Sequence, residues 1–333
     1  MFDFHVMTGP DIRAIITESR PALIERVRQT YLAHHRGETV NPSSHWLRFP
    51  DDPTARIIAL PALLPGETPV AGIKWISSFP ANVSRNVPRA SAVLILNDAE
   101  TGYPFACLEA AQISAARTAA SAALAAERLQ GGREADKIAV VGAGVISRNV
   151  LEFLHAADWR IGHIAVYDTV PTYADNAAAL AGRLGYGASS APSLRAAAAG
   201  ADLVVLATTA ATPYLGADIL APGQNVLNLS LRDIDPDVIA ASHNILDDID
   251  HCLTANTSPH LAEQQLGHRD FIDGTIGQVL LDQIQLGGDK PRIFSPFGLG
   301  VLDIAVGIEL FQAGRRLGHL RTVPEFFAET ERW

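Results

Sequence analysis

Gly142, Ala143 and Gly144 stand between an apolar run, Lys137 to Val141, and a segment of helical spacing, Val145 to Ala157. A strand, a glycine turn and a helix in that order make a seat for a pyrophosphate. Gly142 permits the tight turn, and Gly144 lets the backbone come close to the anion. The free N–H groups at Val145 and Ile146 then face the negative charge. Ser147, at the third position of the fingerprint, is small enough for close packing of helix on strand. The next strand, IGHIAVYD, ends in Asp168. An acid there accepts from both ribose hydroxyls and repels a 2′-phosphate, so the expected cofactor is NAD rather than NADP. Thr208 and Thr209 end the strand-like VVLATTA, where a parallel sheet opens onto its cofactor crevice, and Ser230 holds a similar place in NLSLRD. Asp233, in the same segment, precedes Pro236; its spacing suits a turn acid and a general base equally.

Cations mark a second region. Lys74, Arg85 and Arg89 occupy a stretch, Glu67 to Asp98, that holds no acid between its ends. Lys74 sits inside the apolar VAGIKWI, Arg117 inside the Ala-rich ISAARTAASAALAA, and Arg48 inside HWLRF. Lysine and arginine fixed on strands and helices can hold carboxylates, arginine through its planar fork. Arg85 lies in the polar loop PANVSRNVP and reads as a surface charge. His45 and His251 read as structural, and no His/Cys/Asp/Glu pair has metal-ligand spacing with a matching second pair.

The elements that must position these residues change character along the chain. Residues 11–35 have helical spacing, with Asp11 a plausible N-cap after Pro10. From 45 to 97 come short β-like runs, HWLRF, ARIIAL, VAGIKWISSF and SAVLILN, which suggest a mainly antiparallel sheet. A long Ala-rich helix is expected at 107–129, ending at Gly131-Gly132. Strand-like runs at 137–141, 163–167, 202–207, 224–229 and 243–247 then alternate with helical or turn segments, the rhythm of a parallel sheet. A last helix runs from Val301 to Leu317. The expected class is α/β, a Rossmann-type dinucleotide-binding domain (118–304) joined to an α+β substrate-binding domain formed by both chain ends (1–117 and 305–333). Composition agrees with this. The chain has 333 residues, 48% hydrophobic and 19% charged, with a net charge of −10 and no basic run, which argues against nucleic acid and anionic membranes. No signal-like N-terminus or membrane-length apolar stretch is visible, and the two cysteines, Cys107 and Cys252, read as buried thiols in a reducing cytoplasm.

GIKWISSFPAN, LNDAETGYP and ISAARTAASAALAA resemble signature segments of the ornithine cyclodeaminase/mu-crystallin family, and the similarity runs through almost the whole chain. NPSSHWLRFP, RIIALPA, SFPANVSRNVPRASAVLILND, NLSLRDIDPDVI, DDIDHCLTANTSPHL and SPFGLGVLD are similar to one branch of it, the N-(2-amino-2-carboxyethyl)-L-glutamate dehydrogenases of L-2,3-diaminopropionate biosynthesis. The resemblance implies that Lys74, Arg117 and Arg48 bind substrate, with Arg89 and Ser91 in a segment that the cyclodeaminases write differently. It implies that Asp233 and Lys74 are catalytic, and that Asp303 lies near the nicotinamide, although Asp303 would also serve to cap the last helix. It further implies a homodimer formed through the first domain, where the β-rich 45–97 offers a surface. Two departures count against ornithine: RIIALPA carries no acid for an amino end, and Ile234-Asp235-Pro236 replaces the family's usual continuation after the aspartate. A small tricarboxylate amino acid fits four cations better than ornithine, which has one carboxylate. The product would feed a siderophore or a peptide antibiotic. Ornithine cyclodeaminase, ketimine reductase and a crystallin-like binding protein are the alternatives.

Overall fold

The computed structural model describes residues 3–67 and 69–329. In chain order the elements begin β1 (Phe4–Met7), α1 (Gly9–His35), β2 (His45–Phe49), β3 (Asp52–Leu64), β4 (Val70–Ser78), β5 (Ala90–Asp98), β6 (Pro104–Glu109) and α2 (Ala111–Gln130). There follow β7 (Glu134–Val141), α3 (Val145–Ala156), β8 (Arg160–Tyr167), α4 (Pro171–Arg183), β9 (Ala188–Ser190), α5 (Leu194–Ala198), β10 (Leu203–Leu206) and β11 (Asn225–Asn228). After these come α6 (Pro236–Ala240), β12 (His243–Leu246), α7 (Ile249–Cys252), α8 (Ser258–Leu266) and β13 (Gly274–Thr275). The chain ends with α9 (Ile276–Leu280), β14 (Arg292–Ser295), α10 (Gly300–Leu317) and β15 (Arg321–Val323). Two compact units result, Met1–Arg117 with Leu299–Trp333, and Thr118–Gly298. The second break falls ahead of the expected 304/305, so Asp303 belongs to the first unit and not to the nucleotide-binding one.

The first unit is built on a seven-stranded sheet of order β15-β1-β6-β5-β4-β3-β2, antiparallel except where β1 meets β6. Side chains alternate between its faces. Leu60, Lys74 and Leu94 form one cross-strand row, and Ala59, Trp75 and Val93 form the next row on the opposite face. The Lys74 face carries α10, whose residues from Gly300 to Ile308 are all buried. Trp75, Val93 and Leu47 on the other face are exposed. The helix expected from 107 starts only at Ala111. Cys107, Leu108 and Glu109 instead pair with Ile95, Leu94 and Val93, because strand pairing on both sides, with β1 and β5, outranks local helix propensity. Asp11 falls inside the first turn of α1 and not at its cap. Thr8 occupies the capping position and its hydroxyl donates to Asp11 Oδ2 at 2.5 Å.

The second unit holds an eight-stranded parallel sheet of order β13-β12-β14-β11-β10-β7-β8-β9. Its central strands β10 and β11 are buried at every residue, as a sheet covered on both faces requires. The order reverses at β7, the strand that ends in the glycine turn. Among the described residues no helix is long and apolar enough to cross a membrane.

Two glycines of the first unit set how closely α10 lies on the sheet. A methyl on Gly72 would collide with the backbone carbonyl of Ile95 and with Ile304, whereas one on Gly307 would meet mainly the side-chain tip of Leu94. Backbone cannot yield as a rotamer can. Gly72→Ala should therefore destabilise by about 3 kcal/mol and Gly307→Ala by about 1 kcal/mol. Urea midpoints of the two variants check the order.

Candidate active site

The glycine turn in the second unit is stereochemically committed. Gly142 has φ +85°, its N–H donates to the Tyr167 carbonyl at 2.8 Å, and a Cβ there would lie 2.6 Å from the Ala207 carbonyl oxygen. Only glycine fits. The buried Ser147 hydroxyl donates to the Gly142 carbonyl, which gives the third fingerprint position a bonding role as well as a small size. Gly144 caps α3 without a side-chain acceptor, and a Cβ on it would meet no protein atom within 4 Å. The first N–H groups of the helix, with Ala143, Val145 and Ile146 around them, are thus left to an anion. Asp168 follows β8, where its carboxylate accepts from Ala143 N at 2.8 Å and Val170 N at 2.9 Å. These residues fit a dinucleotide: a turn for the pyrophosphate and, tied to it, an acid for the ribose.

Asp233 is wholly buried. Its carboxylate accepts from the Thr208 hydroxyl on one oxygen and the Ser230 hydroxyl on the other. Residues expected singly at two strand ends are therefore gathered on one acid. Leu231, between them, adopts a left-handed conformation with φ +77°, the kind of strained backbone that concentrates at working sites. Thr209 is exposed at the next position and is not bonded to Asp233. Sequence reading passed over Tyr214. Its backbone N–H donates to the Asp233 carbonyl at 3.0 Å. Burial first, then the Asp233 carboxylate, pushes its phenol well above the usual range. Nothing in ATPYLG marks that tyrosine, because the turn that brings it to Asp233 is tertiary.

In the first unit Lys74, Arg117 and Asp303 meet. Lys74, 1% exposed, donates from Nζ to Asp303 Oδ2 at 2.5 Å and to Ser114 Oγ at 3.4 Å. Arg117 Nε lies 3.3 Å from Asp303 Oδ1. Asp303 is fully buried in the first turn of α10, with each carboxylate oxygen engaged by a cation. It thus serves as the counter-ion of both. Burial lowers the Lys74 ammonium from 10.5 to about 8, against the pull of Asp303 and with a smaller push from Arg117.

The other predicted residues divide by face. Arg48 is exposed on β2, with its guanidinium carbon 5.3 Å from the Trp46 ring centroid. Arg89 Nη1 donates to Ser78 Oγ at 2.9 Å, and Ser78 lies on the Lys74 face. Ser91 pairs with Ser77, hydroxyl to hydroxyl at 2.8 Å, on the opposite face. The alternation of the strand removes Ser91 from this group. Glu109, a possible partner for these cations, instead accepts from Ala111 N and Gln112 N at the start of α2. Among the described residues no group of three His, Cys, Asp or Glu side chains could hold a metal.

Lys74 links the site to pH. Between about 8 and 10.5 the unfolded chain keeps a proton there that the folded chain has lost, so this group adds stability as pH rises through that window. Below about 8 both states hold the proton and the folded state bears the burial cost. Relative to Lys74→Met, the native protein should gain roughly 3 kcal/mol across the window, measured by denaturant unfolding. Over the same rise in pH, carboxylate affinity should fall, because the ammonium is lost.

Residues 12–308 match the ornithine cyclodeaminase/mu-crystallin family. N-((2S)-2-amino-2-carboxyethyl)-L-glutamate dehydrogenase of Staphylococcus aureus is 29% identical, over 88% of this chain and 90% of its own. Among solved structures, Thermococcus litoralis Δ1-pyrroline-2-carboxylate reductase, in complex with NADH and L-proline, has TM-score 0.89 at 21% identity, covering 96% of this chain and all of the other. An archaeal alanine dehydrogenase dimer with bound NAD has TM-score 0.86 at 22% identity, over 98% of this chain and 100% of its own. Both structures share the fold described above. The chain belongs to the ornithine cyclodeaminase/mu-crystallin family.

Proposed function

We propose that this protein oxidises N-(2-amino-2-carboxyethyl)-L-glutamate with NAD⁺ and releases 2-oxoglutarate, L-2,3-diaminopropionate and NADH. One observation carries the reading. Lys74 and Arg48 share one face of the sheet, Arg89 bonds to Ser78 on that face, Arg117 of α2 meets Lys74 at Asp303, and that single buried acid is paired with two of the four. Among the described residues neither Arg48 nor Arg89 is in an ion pair. Such an excess of cations suits a substrate with three carboxylates and exceeds what one α-carboxylate needs. The Staphylococcus aureus relative, named for this substrate, supports the choice.

In this reading Lys74 and Arg117 hold the carboxylate on the reacting carbon, and Asp303 keeps both side chains in place. Bound NAD⁺ supplies the hydride acceptor for the Cα–H of the glutamate half. The secondary amine must be neutral to lose hydride, and the resulting imine must then gain water. Asp233 takes the amine proton and passes it to solvent, then takes the proton of the attacking water and returns it to the leaving amine nitrogen as the carbinolamine collapses. Because it is fully buried, it exchanges protons through the half-buried Thr208 and Ser230 hydroxyls that donate to it. Asp168 favours NAD over NADP, since its carboxylate is fixed against the turn where a 2′-phosphate would add like charge. The exposed Leu47, Trp75 and Val93 on the sheet face away from Lys74 suit a homodimer, the state of the archaeal alanine dehydrogenase. The free thiols of Cys107 and Cys252 accord with a reducing cytoplasm.

Incubation with NAD⁺ and the tricarboxylate should give one NADH per 2-oxoglutarate, followed by absorbance. Ornithine should give no net NADH. A cyclodeaminase would instead leave the tricarboxylate unoxidised and form proline and ammonia from ornithine, also with no net NADH, and a ketimine reductase would consume NADH with a cyclic imine. Asp233→Asn should lower kcat by about 10²–10⁴-fold while NAD⁺ affinity, measured by calorimetry, stays within about twofold. Unchanged turnover would remove Asp233 from the chemistry.

A further inference from the structure

Asp233 follows a strained turn that outside contacts must hold. Leu231, two residues ahead of it, has φ +77°, a conformation that a non-glycine residue keeps only when its surroundings enforce it. The enforcing contacts come from residues 255–258, between α7 and α8. Ser258 is the first residue of α8, and its N–H, which has no acceptor within the helix, donates to the Leu231 carbonyl at 2.7 Å. Its hydroxyl accepts from Ile234 N at 3.1 Å. Between these two bonds Arg232 donates from Nε and Nη2 to the Ala255 carbonyl, at 3.2 and 2.6 Å. The residues on either side of Asp233 are thus tied to one short segment, whereas its own carboxylate is given to Thr208 and Ser230. The segment is anchored in turn. The Thr257 hydroxyl accepts from His260 N at 3.2 Å to cap α8 and donates to the Cys252 carbonyl at the end of α7.

We propose that Ser258 is a positioning residue for Asp233, its N–H and hydroxyl holding the strained turn so that the carboxylate faces both hydroxyls. The proposal rests on the reaction given above for the work that Asp233 does, and on these bonds for the hold. Ser258, Asp233 and Ile234 are wholly buried, so bulk water does not replace the serine oxygen as the acceptor for Ile234 N. A buried N–H left unpaired is costly. Once that oxygen is removed, Ile234 N finds a new acceptor only if the turn moves. Such a movement relaxes Leu231 and swings the Asp233 carboxylate away from Thr208 and Ser230. The Asp233 carbonyl, which accepts from Tyr214 N and Leu215 N at 3.0 and 2.9 Å, fixes the far side of the turn and makes the near side the part that gives. A displaced proton acceptor lowers turnover without weakening substrate binding, because Asp233 is not among the groups that hold the substrate's carboxylates.

Ser258→Ala should lower kcat by about 10–100-fold, while KM for the tricarboxylate and the dissociation constant of NAD⁺ stay within about twofold. Ser258→Thr keeps the hydroxyl oxygen and should recover at least about a third of native turnover. In an Asp233→Asn background, Ser258→Ala should change kcat by less than about twofold, since the acid it positions is gone. Amide hydrogen exchange of the full chain, read by mass spectrometry, should rise on Ser258→Ala in residues 230–235 and stay level in the rest of the second unit. If Ser258→Ala fails to fold, Ser258→Cys keeps the volume, weakens the acceptor, and should show the same split between kcat and KM to a smaller degree. An equal loss of kcat in the native and Asp233→Asn backgrounds, or exchange that does not change at 230–235, overturns the proposal. Turnover of the tricarboxylate that is indifferent to Ser258→Ala leaves the reaction standing and removes the role of Ser258. Ser258-dependent exchange at 230–235 in a protein that does not oxidise the tricarboxylate leaves the hold on Asp233 and removes the reaction.

Discussion

Lys74 lies in the interior of the first unit at 1% exposure, with one carboxylate, Asp303, between it and Arg117. Two cations on one buried acid leave a net positive charge where water is excluded. Removing the acid would leave two unpaired charges, which typically costs about 3–5 kcal/mol. That constraint explains the chain's itinerary. Lys74 arrives on β4 and Arg117 on α2, whereas Asp303 comes from the first turn of α10, after the whole nucleotide-binding unit has been traversed. The first unit thus needs both ends of the chain to balance its charge. Gly72, Gly300 and Gly307, each with sheet atoms within van der Waals reach of an added Cβ, let the helix that carries Asp303 come down onto the Lys74 face.

The same charge arithmetic separates the two units by chemistry. The first collects cations on one face of its sheet. The second presents acids at the carboxyl ends of its strands, Asp168 at the glycine turn and Asp233 under two hydroxyls. An overall charge of −10 therefore conceals a local excess of the opposite sign. A neutral or mildly acidic average says little about a ligand; the register of a few strands says far more.

Local signals explain what could be read from the residues alone. The glycine turn was legible because its requirements are met within a few residues: positive φ at Gly142, a small third position at Ser147, and an acid at the next strand end. Lys74 and Arg117 stood out because charge in an apolar run has few inexpensive explanations. The pairing of Asp303 was not legible, since its partners lie 229 and 186 residues away and no local pattern encodes such a pair. Ser91 failed for a different reason. Motif alignment gives proximity in sequence, but a strand sends neighbours to opposite faces, and Ser91 follows Ser77 rather than Ser78. The start of α2 shows a third kind of failure, in which pairing with β5 claimed residues whose own preference was helical.

Face parity then becomes the working criterion for the cation region. Arg48, Arg56, Lys74 and Ser78 qualify because their registers agree, and Trp46, two residues from Arg48, shares their side. Trp75 and Val93 fail the same test and present apolar surface instead. A one-residue slip of β3 against β4 would exchange the two sets and put charge where the sheet is apolar. The long antiparallel ladder from Arg56–Ser78 to Leu64–Val70 resists that slip, because every apolar residue of the Lys74 face would leave α10 together. The spacing between Lys74 and Arg56 along the sheet is thereby fixed by backbone geometry, and side-chain flexibility can adjust it only locally.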